Sequence, residues 1–112
     1  VTNLQNAEDT QAAHPNTFEI PSREWREDIQ AGDLVKLIFL SSVDGKTVGE
    51  RMWVRVKATA ARTHFAGTVD NNPIIGDEPG YDDLVVFGPE HIIDIIPSLE
   101  LTMKGYKNGR SV

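Results

Sequence analysis

From Asp33 to Val69 the apolar residues recur with a period of two, the spacing of strands whose successive side chains point to opposite faces. In "DLVKLIFL" this puts Val35, Leu37 and Phe39 on one side and Leu34, Lys36, Ile38 and Leu40 on the other, so the strand is expected to be covered on both faces. The pair Asp44-Gly45 follows. A two-residue hairpin turn needs positive φ at both central positions, and Asp-Gly supplies it. The chain returns through "ERMWVRV", with Met52, Val54 and Val56 on one side and Arg51, Trp53 and Arg55 on the other. In "RTHFAGTV", Phe65 and Val69 are expected to point inward, with Gly67 between them marking a bulge, a bend or a close backbone approach. "LVVFGPEHIIDII" closes the pattern with a strand through Phe87, a turn at Gly88-Pro89 and an apolar run from Ile92 to Ile96. After Pro97, Leu99 and Leu101 mark a candidate further strand.

Helical signals are confined to the first third of the chain. Pro21-Ser22 is a helix start with Glu24 in its first turn, and Gly32 is the expected stop. Trp25 and Ile29 are four apart and are expected to share the buried face. Residues 1–16 are polar and end near His14-Pro15, which reads as a flexible, frayed or weakly helical arm. The predicted organisation is therefore an arm over 1–16, one globular domain over 17–101 and a basic tail over 102–112. The predicted fold class is α+β, mainly β: a small antiparallel roll or SH3-like partly open barrel with an N-terminal helix.

Composition narrows the functions. The chain has 112 residues and a net charge of −6, which opposes nucleic-acid phosphate because binding there is carried by lysine and arginine. Cysteine is absent, which excludes disulfides, thiolate catalysis and cysteine-bound zinc. No apolar run of about 18 residues occurs, so no membrane span is expected and the reading is cytoplasmic. The start at Val1 rather than methionine fits removal of a leader or tag.

Candidate chemistry is sparse. "GKT" at Gly45 to Thr47 fails as a phosphate loop, since the required earlier glycine is Leu40, and the hairpin turn explains the same residues. His14, His64 and His91 lack ligand spacing, so no metal and no cofactor is assigned. Read as a calcium loop from Asp70, the segment has Ile75 where glycine is needed and Tyr81 where the bidentate acid is needed. No serine lies in a nucleophile-elbow pattern, and the adjacent Asp82 and Asp83 would point to opposite faces of a strand; no catalytic residue is assigned.

Two features invite a binding reading. The long loop from Asp70 to Asp83 holds two prolines, two glycines and five acids, and its carboxylates Asp70, Asp77, Glu78, Asp82 and Asp83 are the candidate partner-binding residues for a protein with a basic surface. Trp53, between Arg51 and Arg55, is either a stacking platform for a nucleic-acid strand or the floor beneath the Trp25/Ile29 helix. The burial forfeited by a bare tryptophan, roughly 2 kcal/mol or more, favours the helix.

The segments "GDLVKLIF", "ERMWVRV", "FAGTVDNNP" and "VVFGPEHIIDI" together resemble the bacterial YegJ-like domain-of-unknown-function family over roughly residues 32–96. The likeness is carried by Met52-Trp53-Val54, by Phe65-x-Gly67 and by the Asn71-Asn72-Pro73 turn. The chain departs from the family pattern at Asp82-Asp83, where Gly-Asp is usual. That resemblance supplies no catalytic residue, and related small domains are similar to immunity proteins, which implies a non-catalytic binding role. The first functional reading is thus a non-catalytic interaction module of bacterial, immunity-like type. A small enzyme using the 70–83 loop and a weak nucleic-acid binder stay as alternatives, and the oligomeric state is left open.

Overall fold

The computed structural model describes residues 3–75 and 79–99. The protein is mainly β, with one open antiparallel sheet of five strands: β1 (Leu34–Val43), β2 (Lys46–Ala60), β3 (His64–Val69), β4 (Leu84–Phe87) and β5 (Asp94–Ile96), in the order β4-β3-β2-β1-β5. Two short helices, α1 (Ala7–Ala13) and α2 (Arg23–Glu27), precede it, and a 3₁₀ turn at Pro89–His91 joins β4 to β5.

The first four strands form a meander. Asp44 (φ 51°) and Gly45 (φ 76°) make the expected hairpin turn between the closing pair Val43 and Lys46. The second hairpin, closed by Ala60 and His64, places Ala61 (φ 53°) and Arg62 (φ 62°) in the left-handed region, where a Cβ is disfavoured. Between Val56 and Ala58 the register of β2 on β3 shifts, opposite Gly67. A Cβ built on Gly67 would overlap the Arg55 carbonyl, so the close backbone approach expected at this glycine is present.

The main core lies on one face of the sheet. Val35, Leu37 and Phe39 meet Met52, Val54 and Val56, and the row continues through Phe65, Val69, Val85 and Phe87. The Phe65 and Phe87 rings, on paired residues, lie 5.6 Å apart and tilted by 54°. Ile29 and Ile92, from the segments flanking the sheet, complete this core. A flat sheet of five strands would span about 19 Å from edge to edge. Residues 88–93 bridge β4 and β5 across the core, and Ile92 is fully buried on the way.

Among the described residues the opposite face is covered at one end only, where Ile38 packs with Ala7 and Ile93 beside Phe18, Ile20 and Leu40. The stretch read as an arm carries α1. Asn6 caps that helix by accepting from the Asp9 amide, and Ala7 is buried. Just before it, Leu4 bridges Phe39, the Gln5 amide donates to the Ile38 carbonyl (2.9 Å), and the Leu40 amide donates to the Asn3 carbonyl (2.8 Å). Residues 3–5 and β5 thus share the edge of β1 in tandem, which satisfies its backbone groups over most of its length.

Ser22 caps α2 as expected, accepting from the Trp25 amide at 3.2 Å. The buried residue of that helix is not Trp25, which is 66% exposed, but Arg26, at 5%. The reason is length: α2 ends at Glu27 with Asp28 as its C-cap, so Ile29 lies beyond the helix and the four-residue spacing from Trp25 does not define a common face. Ile29 enters the core beside Met52, Val54 and Val56, on the face opposite Trp53. Trp53 is half-buried, and the expected Trp25/Ile29 cover over it is therefore not formed. Leu101 and the tail 102–112 lie outside the described residues.

Candidate partner-binding face

The sheet face opposite the core is ordered by register, because directly paired residues of antiparallel strands share a face. One row runs Leu84, Thr68, Arg55, Leu34 and Ile96 across all five strands. The neighbouring residues Trp53 and Lys36 are also paired, and the Lys36 Nζ sits 4.6 Å from the centre of the Trp53 ring. That cation–π contact answers why a tryptophan stands among cations here: the aliphatic stem and ammonium of Lys36 take the place of a covering helix. At the far end, Arg51 lies over Phe18 at 5.9 Å.

Towards β4 the face opens. Leu84 is 66% exposed and Val86 is 64% exposed, on a strand whose other two residues, Val85 and Phe87, are buried. A signal for this was present in "DDLVVF", since a strand with period two and Val85 and Phe87 inward must turn Leu84 and Val86 outward.

The acidic loop borders this open end, and its carboxylates have different tasks. Asp70 Oδ2 accepts from Arg55 Nη2 at 3.3 Å, and the Asp70 amide donates to the Trp53 carbonyl at 2.8 Å. Asn71 Oδ1 accepts from the Trp53 amide. These three bonds fasten the start of the loop to β2. Asp83 Oδ2 accepts from the Gly80 amide at 2.8 Å and the Asp83 carbonyl accepts from the Val69 amide at 3.0 Å, so Asp83 shapes the turn into β4. Asp82 is left-handed (φ 70°) with its amide on the Val69 carbonyl at 2.7 Å. Its carboxylate is exposed and makes no bond to any described residue. Asp77 and Glu78 lie outside the described residues.

One loop anchor was not foreseen. Glu50 Oε2 and Oε1 accept from the amides of Ile74 (2.6 Å) and Ile75 (3.1 Å), pinning the middle of the loop to β2 while Ile74 is 92% exposed. Sequence spacing carries no trace of a contact between residues so far apart in the chain.

Elsewhere, a groove of about 350 Å³ lies between the end of α2 and β5, lined by Trp25, Asp28, Ile29, Ile95, Pro97 and Leu99. Asp33 lies at its base with both carboxylate oxygens engaged, by the amides of Gln30 and Ser98, each at 2.8 Å. Burial lowers the pKa of His91 below the usual histidine range, against the opposing pull of Glu90 and Glu8. Its Nδ1 accepts from the Gly88 amide at 2.9 Å, which fits the neutral ring. Among the described residues, no group of three or more His, Asp and Glu side chains is placed to hold a metal ion, and no helix is long and apolar enough to cross a membrane. No protein-family model, curated protein or solved structure matches the chain.

Proposed function

We propose that the protein is a non-catalytic interaction module, of the bacterial immunity-like type its resemblance implies, acting in the cytoplasm on a protein with a basic surface. The observation that carries the reading is the open end of the sheet, where Leu84 and Val86 are exposed beside the carboxylate of Asp82. An apolar centre with a charged rim is the usual anatomy of a protein interface. Covering the two side chains would contribute about 1–2 kcal/mol each. The carboxylates of Asp77, Glu78 and Asp82 supply long-range attraction to a cationic partner, whereas Asp70 and Asp83 hold the rim in shape.

A second reading rests on Trp53 with Lys36 and Arg55, which together offer a ring and two cations to a single nucleic-acid strand. Against it stand the Arg55–Asp70 ion pair and the net charge of −6.

Surface-plasmon kinetics separate the two. On a protein partner recovered with the tagged chain, replacing Asp77, Glu78 and Asp82 by Asn, Gln and Asn is expected to lower the association rate and flatten its salt dependence. Unchanged kinetics in that variant, or saturable binding of an oligothymidine at physiological salt, would move the function to Trp53 or elsewhere.

A further inference from the structure

The face just described ends at β4, which is an edge strand. Which of its backbone groups are free follows from the neighbouring bonds. The Val69 amide donates to the Asp83 carbonyl and the Val69 carbonyl accepts from the Asp82 amide, so the peptide groups of Val69 face β4. Peptide directions alternate along a strand, so those of Gly67 and Phe65 face β4 as well, and their partners Val85 and Phe87 face back. The N–H and C=O groups of Leu84 and Val86 therefore point away from β3, and among the described residues they have no hydrogen-bond partner.

Edge strands of monomeric proteins are ordinarily blunted by a lysine, a proline or a bulge, or are covered. Leu84–Phe87 is short, at four residues, which is itself some protection, but it contains none of these residues and pairs with β3 without a register shift. By contrast, the open side of β1 is covered by β5 and by residues 3–5. The outward amides and the exposed side chains belong to the same two residues, so an added strand would find hydrogen bonds and an apolar surface together.

We propose that β4 receives an extended segment of the partner as a sixth strand, with apolar residues beside Leu84 and Val86 and lysine or arginine at the end that meets Asp82. This rests on the interaction-module reading and specifies how the partner is held. Charge selects the occupant: a cationic strand is attracted to the Asp82 end, while a second copy of the chain would bring its own net charge of −6 against the first.

The test is an NMR titration of the full ¹⁵N-labelled chain with a synthetic peptide of alternating valine and threonine ending in two lysines. A control peptide carries N-methyl groups on alternate amides. Saturating peptide is expected to slow amide exchange at Leu84 and Val86 at least tenfold, and N-methylation is expected to weaken binding at least tenfold. Val86→Pro removes one outward donor and leaves the β3 ladder intact, and it is expected to abolish the protection. Absence of protection at Leu84 and Val86, or equal binding of the N-methylated peptide, would overturn the strand-addition proposal. Concentration-dependent protection without peptide would overturn the choice of occupant in favour of a second copy. If Leu84→Asp with Val86→Asp abolishes capture of a protein partner while Val86→Pro binds it normally, strand addition fails and the side-chain face survives. The reverse failure, capture untouched by the double aspartate variant, would sink the interaction face itself.

Discussion

Arg26 Nη1 lies 2.6 Å from Glu8 Oε2, joining α2 to α1 from a position that is almost fully buried. The same nitrogen donates to the Pro89 carbonyl at 2.8 Å and Nε donates to the Pro21 carbonyl at 2.8 Å, so one guanidinium ties both helices to the turn that leads into β5. The bond from Arg26 is the main reason that the Glu8 carboxyl is held below its usual range, with burial opposing and Arg23 adding to it. Replacing Arg26 by Ala leaves the Pro89 and Pro21 carbonyls without their side-chain donor and Glu8 Oε2 with Arg23 alone, and should cost about 3 kcal/mol in urea titration. Arg26→Lys should recover little, because a point ammonium cannot span three acceptors held by a planar fork. Arg23→Ala, at an exposed pair with the same Glu8, should cost less than about 1 kcal/mol.

The β2–β3 contact leaves no room for a side chain at Gly67. A Cβ there would overlap the Arg55 carbonyl and crowd Val54 Cγ1, and a backbone atom cannot swing aside. Gly67→Ala should destabilise by about 2 kcal/mol or more in denaturant titration, against a smaller loss, below about 1 kcal/mol, for Gly45→Asn, where space is open and the only cost is a side chain at φ 76°.

The second hairpin holds the opposite case. Arg62 has φ 62° and is exposed, so its side chain carries a conformational cost that glycine lacks. Arg62→Gly should raise stability by about 0.5–1 kcal/mol, the strain relieved exceeding the extra unfolded-state entropy. A calorimetric midpoint at or below that of the parent chain would contradict the assignment.

These residues show how much of the molecule its sequence discloses. The strands, their faces, the Asp44-Gly45 turn and the glycine contact at Gly67 follow from two-residue periodicity and turn chemistry, which are local. Helix α2 was misread because its length, not its spacing, decides which side is buried, and the partner of the buried Arg26 is a half-buried carboxylate in a segment whose polarity suggested fraying. Of the candidate carboxylates, Asp70 and Asp83 are engaged by Arg55 and Gly80, and the Glu50 anchor joins residues distant in the chain. Such long-range pairings carry no periodic signal. Leu84 and Val86 were visible as a pattern, but that β4 lies at the edge is a fact of topology.

The pKa of His91 gives a pH dependence with a definite sign. Burial lowers it in the folded chain, so below the ordinary value of 6.5 the unfolded chain binds more protons, and stability falls as pH falls. The contribution is complete above pH 6.5 and is lost as pH drops towards and through the folded pKa. Unfolding midpoints measured from pH 8 to pH 5 should decline in the parent chain and decline less in His91→Gln. Glu8, with its lowered pKa, adds a separate loss below pH 4.5.

The proposed binding site for the partner is the β4 end of the open sheet face. Its most direct measurement is photocrosslinking in the source cells with benzoylphenylalanine placed at position 84, and separately at position 43, where Val43 is exposed at the tip of the first hairpin. A discrete adduct with a basic protein is expected from position 84, lost on substituting Asp for Val86, and none from position 43. An adduct from position 43 with nothing at 84 would contradict that site.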